Sequence, residues 1–161
     1  MKKFVFTLLL VFVCHLGYAQ GINGLFNEFG SEKNADCVKV SSFMMSLGKM
    51  FAGHDEDAKI IRKIKSIKVL DLESCTASVK ERFSKKVNKL NLKGYDELMR
   101  VNDEGEKVRV LMKTKKETIR ELLFVCTGKE DCTLVQINGK FTKDDIDKLV
   151  NQETGKKHGR R

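Results

Sequence analysis

Apolar residues recur at helical spacing near the start of the chain. Four of them fall at i, i+3, i+4 and i+7, and these are Ile22, Leu25, Phe26 and Phe29. This spacing places them on one side of a short helix. Such a stripe packs on the core of its own domain or forms a surface for a partner or a membrane. We therefore predict a helix here and take the stripe as the first candidate interaction face.

The following residues change from a strand pattern to a helix pattern. Residues 36–41 alternate in polarity like a strand, and Ser41 or Ser42 can cap a helix that begins near Phe43. That helix is rich in methionine. At helical spacing its apolar stripe indicates core, and the alternative is an adaptable pocket for a small hydrophobe lined by Met44, Met45 and Phe51.

An acidic run precedes the next predicted helix. His54 is followed by Asp55, Glu56 and Asp57, and residues 58–64 have a helical pattern. Acidic side chains at a helix N-terminus complement the helix dipole, which accounts for the run. Consecutive residues cannot all point at one ion, so we predict no metal site and no cofactor here.

A strand over residues 66–72 leads to a longer amphipathic helix over residues 74–90. The inner stripe of this helix consists of Cys75, Val79, Phe83, Val87 and Leu90. The remaining positions are mostly basic, namely Lys80, Arg82, Lys85, Lys86 and Lys89. We expect these side chains to be solvated on an exposed face, and the alternative is a surface for a polyanion.

The second half of the chain has the pattern of a β-meander. Strand-like segments cover residues 95–101, 107–113, 118–126 and 132–139, and short connections join them. Short connections imply antiparallel neighbours. The third segment is apolar on both of its faces, which places it in the middle of the sheet.

The final helix has the clearest local signal. Thr142 and Asp145 form a capping box, and Phe141 is placed to pack on Ile146. Together these patterns predict an α+β fold with an antiparallel or mixed sheet, a C-terminal four-strand meander and helices mainly on one face. The chain contains no proline, and nothing resembles an interdomain linker, so we expect a single domain over residues 20–150.

The first nineteen residues have the pattern of a secretory signal peptide. Lys2 and Lys3 precede an apolar run over residues 4–13, and small residues at Gly17 and Ala19 fit cleavage after Ala19. The run is too short for a membrane anchor. We therefore expect an exported protein of the periplasm or cell envelope.

The formal net charge is +9, and it stays about +7 without the two leader lysines. Residues 151–161 contain four lysines and arginines and no large apolar residue, so we expect a disordered basic tail. Such a tail either keeps the protein soluble or makes weak contact with an anionic envelope surface. An exported protein seldom meets nucleic acid, so we expect no nucleic-acid partner.

Four cysteines follow the leader. Cys126 and Cys132 close two apolar runs around a short loop, so a disulfide across a hairpin is the first candidate, and Cys37 with Cys75 follows by elimination. The alternative is that all four are free buried thiols.

Several of these segments together resemble a known family. Residues 66–70, 94–101, 107–111 and 135–139 resemble, in order and spacing, the small exported bacterial proteins grouped as domain of unknown function 4252. The resemblance covers most of the chain after the leader and implies a common fold. It carries over no reaction, ligand or catalytic residue.

The sequence favours a non-catalytic interaction module of the cell envelope with a protein partner. It contains no phosphate-binding Gly-rich loop, Cys-x-x-Cys, His-Glu-x-x-His or Gly-x-Ser-x-Gly. A binder of a lipid, small hydrophobe or polyanion is the second hypothesis. The third is a hydrolase in which His54 is the base for a serine or cysteine nucleophile, with Cys126 or Cys132 as the candidate cysteines.

Overall fold

A computed structural model describes residues 21–51 and 56–148. A six-stranded sheet and several helices make up an α+β fold, as predicted, although the helices were expected mainly on one face and lie on both. The last described residues, 143–148, are helical and are called the C-terminal helix here. In chain order the other elements are α1 (Ile22–Phe29), β1 (Asp36–Val40), α2 (Ser42–Phe51), α3 (Glu56–Lys63), β2 (Ile64–Asp71), α4 (Ala77–Lys89), β3 (Asp96–Asp103), β4 (Glu106–Lys115), β5 (Thr118–Thr127) and β6 (Cys132–Phe141).

The strand order is β1-β2-β6-β5-β4-β3, and every neighbouring pair is antiparallel. The last four strands are therefore sequential neighbours. β5 lies inside the sheet between β4 and β6, which confirms the position predicted from its apolar composition. The β3–β4 connection turns tightly at Glu104 and Gly105, both with positive φ, as a two-residue hairpin turn requires.

Helices α1 and α4 pack on one face of the sheet, here called the covered face. Their apolar stripes meet the inward residues of β2, β5 and β6 in one core cluster. Phe29 and Phe83 are both 0% exposed, and their rings meet edge to face with centroids 5.2 Å apart. Each fully buried side chain of this size contributes roughly 1.5–3 kcal/mol, so this packing fixes where both helices lie.

Charged side chains join the outer surfaces of the same two helices. Arg82 contacts Glu32 just after α1, and Lys86 pairs with Glu28 within it. Lys85 pairs with Glu81 along α4. The basic stripe of α4, expected to be solvated, is thus partly neutralised by acidic partners.

Lys80 departs furthest from that expectation. It is 9% exposed, and its Nζ donates hydrogen bonds to the backbone oxygens of Lys129 and Glu130, at 3.2 and 2.9 Å. The side chain therefore ties α4 to the β5–β6 loop. A basic residue beside the apolar stripe can bury its stem in this way when carbonyl groups lie within reach of its tip.

The C-terminal helix packs on the opposite face of the sheet. Ile146 and Phe141 join a second apolar cluster with Leu122, which confirms the predicted contact between them. The Asp145 carboxylate accepts hydrogen bonds from the Thr142 backbone N and Oγ1, at 2.7 and 2.9 Å, so the predicted capping box is confirmed. Lys63 of α3 also donates to Asp145, at 2.6 Å.

Candidate functional site

The face of the sheet opposite α1 and α4 carries a row of apolar side chains that crosses every strand. The register pairs each member of the row with the next across neighbouring strands. One residue from each strand takes part, and from β1 to β3 these are Val38, Val69, Val135, Phe124, Val110 and Met99. We call this row, with its neighbours Cys126, Val108 and Val101, the open face.

Much of the open face is accessible to solvent. The exposed fraction is 55% for Val38, 48% for Met99, 44% for Val101 and 37% for Phe124. Beside Phe124, the covered-face neighbours Leu123 and Val125 are 0% and 4% exposed, because successive side chains of a strand point to opposite faces. Within the row Val110 is 8% exposed, and β3 is exposed on both of its faces. Exposed apolar side chains that lie close together mark an interaction surface in soluble proteins.

Carboxylates line one end of the open face. Asp36 lies directly across from Asp71, and Asp103 lies directly across from Glu106. Like charges in directly opposed positions repel, so each pair costs some stability. Within the described residues neither pair has an ion-pair partner. We call these four residues the acidic margin.

The acidic margin also affects the thiol beside it. Cys126 lies in the second row of the open face, next to Val108. Partial burial raises the pKa of the Cys126 thiol, and the charges of Glu106 and Asp131 raise it further. Cys126 is therefore mainly a protonated thiol at neutral pH, which makes it a weak nucleophile.

All four described cysteines are free thiols, so the predicted disulfides are not formed. Cys126 pairs with Thr133 and Thr127 pairs with Cys132, which puts the two cysteines one residue out of register. Cys132 consequently points into the covered core, on the opposite side of the sheet from Cys126. Burial raises the pKa of Cys132 to about 11. Cys37 and Cys75 both pack in or against that same core, without a bond between them.

The helical stripe predicted as an interaction face is instead part of the core. Its four residues are at most 7% exposed, and they are Ile22, Leu25, Phe26 and Phe29. The stripe packs on the sheet because the covered face presents leucines to it. Exposed apolar side chains lie instead on the open face and on helices α2 and α3, where Phe43 is 73% and Ile61 is 42% exposed.

Other predicted positions are only partly described. Met44 is 56% exposed, so it does not line an enclosed pocket, and Met45 is half-buried. His54, residues 1–19 and residues 151–161 lie outside the described residues, as does the side chain of Phe51. Among the described residues no cluster of His, Cys, Asp and Glu has the arrangement of a metal site, and no helix is long and apolar enough to cross a membrane.

Only the strand register reveals the open face. In the sequence its members look like ordinary alternating strand residues, and their alignment across six strands depends on long-range pairing. One local signal was present, because β5 is apolar at Leu122 and Phe124 as well as at Leu123 and Val125. That pattern indicates two apolar faces but not which of them stays uncovered.

Comparison with known protein families identifies the family of this chain. The profile of the family described as Domain of unknown function (DUF4252) matches residues 29–149. The chain belongs to this family. The match includes all six strands and α4, so the open face and its acidic margin lie within the DUF4252 region. No curated protein and no solved structure matches the chain.

Proposed function

We propose that this DUF4252 protein is exported and acts as a non-catalytic interaction module of the cell envelope. Its open face binds a segment of a partner protein that carries apolar side chains bordered by Lys or Arg. The observation that supports this most strongly is the row of six apolar residues, one per strand, with the acidic margin further along the same strands.

The size of the row suits a polypeptide segment. Six strands spaced about 4.8 Å apart make it about 24 Å long. An amphipathic helix of about 16 residues covers the same length, at about 1.5 Å per residue. Removing the exposed parts of Val38, Phe124 and Met99 from water supplies the main attraction, at about 25 cal/mol per Å².

The acidic margin selects the kind of partner. Lys or Arg side chains placed beside Asp36 and Asp71 relieve the repulsion between these two carboxylates. Anionic lipid head groups have the opposite effect, because they add negative charge next to the same residues. The charge pattern therefore favours a basic protein segment over a membrane surface.

The thiols give no support to the hydrolase hypothesis. Catalysis by cysteine requires the thiolate, and the pKa values of Cys126 and Cys132 are both raised. Cys132 is also 0% exposed, so a substrate cannot reach it without opening the core. An interaction role agrees with both observations.

Photo-crosslinking in the native envelope tests the proposal. A photoreactive phenylalanine analogue replaces Phe124 in one strain and Lys89, exposed on α4, in a control strain. We expect position 124 to crosslink to one protein through a peptide that contains apolar residues beside Lys or Arg, and position 89 to give no such product. Crosslinks only to lipid, only to a second copy of this chain, or equally from position 89 would contradict the proposal.

Charge reversal tests the acidic margin. The double substitution Asp36→Lys and Asp71→Lys removes the attraction for a basic partner, so we expect at least about a fivefold loss of the position-124 crosslink. The denaturation midpoint should change little, because a directly opposed pair of lysines replaces a directly opposed pair of carboxylates. An unchanged crosslink would show that charge does not select the partner.

Export has its own test. Cells that express the full chain should contain a mature form that begins at Gln20, as N-terminal sequencing of the envelope fraction would show. A protein that keeps Met1 and remains in the cytoplasm would contradict this part of the proposal.

A further inference from the structure

A polar pocket lies on the covered side of the sheet, away from the open face. It has a volume of about 460 Å³ and lies between the start of α1, the segment after α4 and strands β4 to β6. The residues that matter for its chemistry are Asn23, Lys93, Tyr95, Lys113, Glu121 and Gln136. Pockets that hold small molecules have volumes of this order.

Two hydrogen-bond acceptors in the pocket wall lack donors. Gln136 is only 6% exposed, and its Oε1 has no hydrogen-bond partner among the described residues. Its Nε2 donates to Glu121 Oε1 at 2.6 Å, and Tyr95 Oη donates to the same oxygen at 2.6 Å. The second carboxylate oxygen of Glu121 receives no hydrogen bond from the described residues. Of these two acceptors only Gln136 Oε1 is shown to be buried, and a buried acceptor without a donor destabilises the fold, so an N–H group of a ligand would be favourable there.

Positive groups also line the pocket, and one of them, Lys113, lies directly across from Glu121 on the neighbouring strand. Helix α1 begins here at Ile22, and among the described residues no side chain caps its first N–H groups. Lys93 also lines the pocket, and the Lys113 ammonium lies 5.4 Å from the centroid of the Tyr95 ring. Free helix N–H groups and nearby ammonium groups favour an anion such as a carboxylate.

We propose that this pocket binds a small zwitterion, a free amino acid or a dipeptide. The ligand ammonium donates to Glu121 and Gln136, and the ligand carboxylate lies against the start of α1 and Lys93. Each charge of the ligand then lies beside a group of opposite charge or a free hydrogen-bonding group of the pocket. The Glu121 carboxylate makes the pocket unfavourable for a simple anion, because like charges repel at short range.

Titration calorimetry on the protein from Gln20 to Arg161 tests this proposal with matched probes. The probes are L-alanine, L-alanyl-L-alanine, the N-acetylated dipeptide, the dipeptide amide and inorganic phosphate. We expect at least one of the two zwitterions to bind with Kd of about 1 mM or tighter, and the acetylated and amidated forms of the dipeptide to bind at least about tenfold more weakly than the dipeptide.

Two substitutions in the pocket and one outside it locate the binding site. Glu121→Gln removes the charge that pairs with the ammonium, and Gln136→Met removes the acceptor while keeping the length of the side chain. Each should weaken zwitterion binding at least about tenfold, whereas Glu104→Gln in the β3–β4 turn should leave it unchanged. Circular dichroism confirms that the variants are folded, and two pocket variants keep the test valid if one of them unfolds.

Three results would overturn the proposal. The first is no binding of either zwitterion at a concentration of about 20 mM, roughly twenty times the expected Kd. The second is equal binding by the amide or by phosphate, which would indicate a site for a cation alone or an anion alone. The third is zwitterion binding that neither pocket substitution weakens.

Discussion

The two faces of this sheet have similar apolar composition but different surroundings. On β6, Leu134 points into the core beneath α1 and α4 and is 0% exposed, while its neighbour Val135 lies on the open face and is half-buried. On β5, Leu123 is 0% exposed and Phe124 is 37% exposed. On these two strands the covered-face residues belong to the core, whereas part of the open face remains exposed to solvent.

The loss of unfolding free energy should differ most between the two faces when a phenylalanine on each is truncated to alanine. Phe83→Ala removes a fully buried ring from the covered core and should lower the free energy of unfolding by about 3–5 kcal/mol. Phe124→Ala, on the open face, should lower it by about 1 kcal/mol or less, because the ring is already partly solvated. Urea denaturation of both variants gives the two values.

Equal losses from these two variants would contradict the distinction between the faces. Val38→Ala, 55% exposed in the wild type, is a second control on the open face and should cost less than Phe124→Ala. The slope of the denaturation curve should be the same in all variants, because the change is in native contacts.

The next largest effect on stability is expected at Lys80, which links α4 to the β5–β6 loop. Lys80→Met keeps the apolar stem but removes the hydrogen bonds to Lys129 and Glu130. We expect a loss of about 1–2 kcal/mol and faster amide exchange in the β5–β6 loop, which hydrogen-exchange mass spectrometry would report. Lys89→Met, at an exposed position of the same helix, should have neither effect.

A smaller effect is expected at the helix that packs on the opposite face. Asp145→Asn weakens the capping box and the contact with Lys63, at a cost of about 1 kcal/mol. Burial acts to raise the pKa of Asp145, but hydrogen bonds from Lys63 and Thr142 hold it below its usual value of 3.8.

The sign of the pH effect follows from that lowered pKa. The Asp145 contribution is complete above pH 3.8, the unfolded value, and is lost as the pH falls through the lower folded pKa. The stability of Asp145→Asn should therefore change less than that of the wild type over this acid range. Thermal melts of both proteins between about pH 2 and 6 measure the difference, and parallel curves would contradict the role of Asp145.

The smallest effect on stability is expected at β3, which is an edge strand of the sheet. Hydrogen bonds from Arg100, helped by Arg109, lower the pKa of Glu97 to about 2 from its usual 4.5. This interaction stabilises the folded state above pH 4.5 and is lost as the pH falls to about 2. In a carboxyl NMR titration, Arg100→Gln should move the Glu97 midpoint towards 4.5, whereas Arg100→Lys should move it less. An unchanged midpoint in Arg100→Gln would disprove the pairing.

Local patterns predicted much of the fold because their causes are local. The spacing of Val79, Phe83 and Val87 gave the inner stripe of α4, and the Thr142–Asp145 capping box gave the start of the C-terminal helix. The apolar run of β5 gave its position inside the sheet. Each of these signals lies within a few residues of the feature that it predicts.

Local sequence patterns could not predict the long-range pairing of the strands. A shift of one residue in register reverses which face a side chain occupies, and this separates Cys126 from Cys132. The same dependence on register hid the open face, whose six members come from six different strands. The burial of Lys80 also depends on a loop about fifty positions away, so the pattern of α4 alone favoured an exposed side chain.

The residues of the polar pocket are also brought together by long-range strand pairing. Glu121 and Gln136 lie on different strands, and Tyr95 comes from the segment before β3. Tyr95 and Gln136 lie in segments that carry the family resemblance, but no pattern in the sequence relates either of them to Glu121. These three residues lie close together because β5 pairs with β6 and because of the path that the chain takes after α4.

Alkylation of Cys126 in living cells tests the central claim most directly, because this thiol lies on the open face. Its rate, measured by mass spectrometry relative to an added control cysteine (Lys89→Cys), is compared between the native envelope and the purified protein. We expect Cys126 to react at least about tenfold more slowly in the envelope, and Phe124→Asp to abolish that protection. An equal relative rate in both settings would contradict the claim that a partner covers the open face.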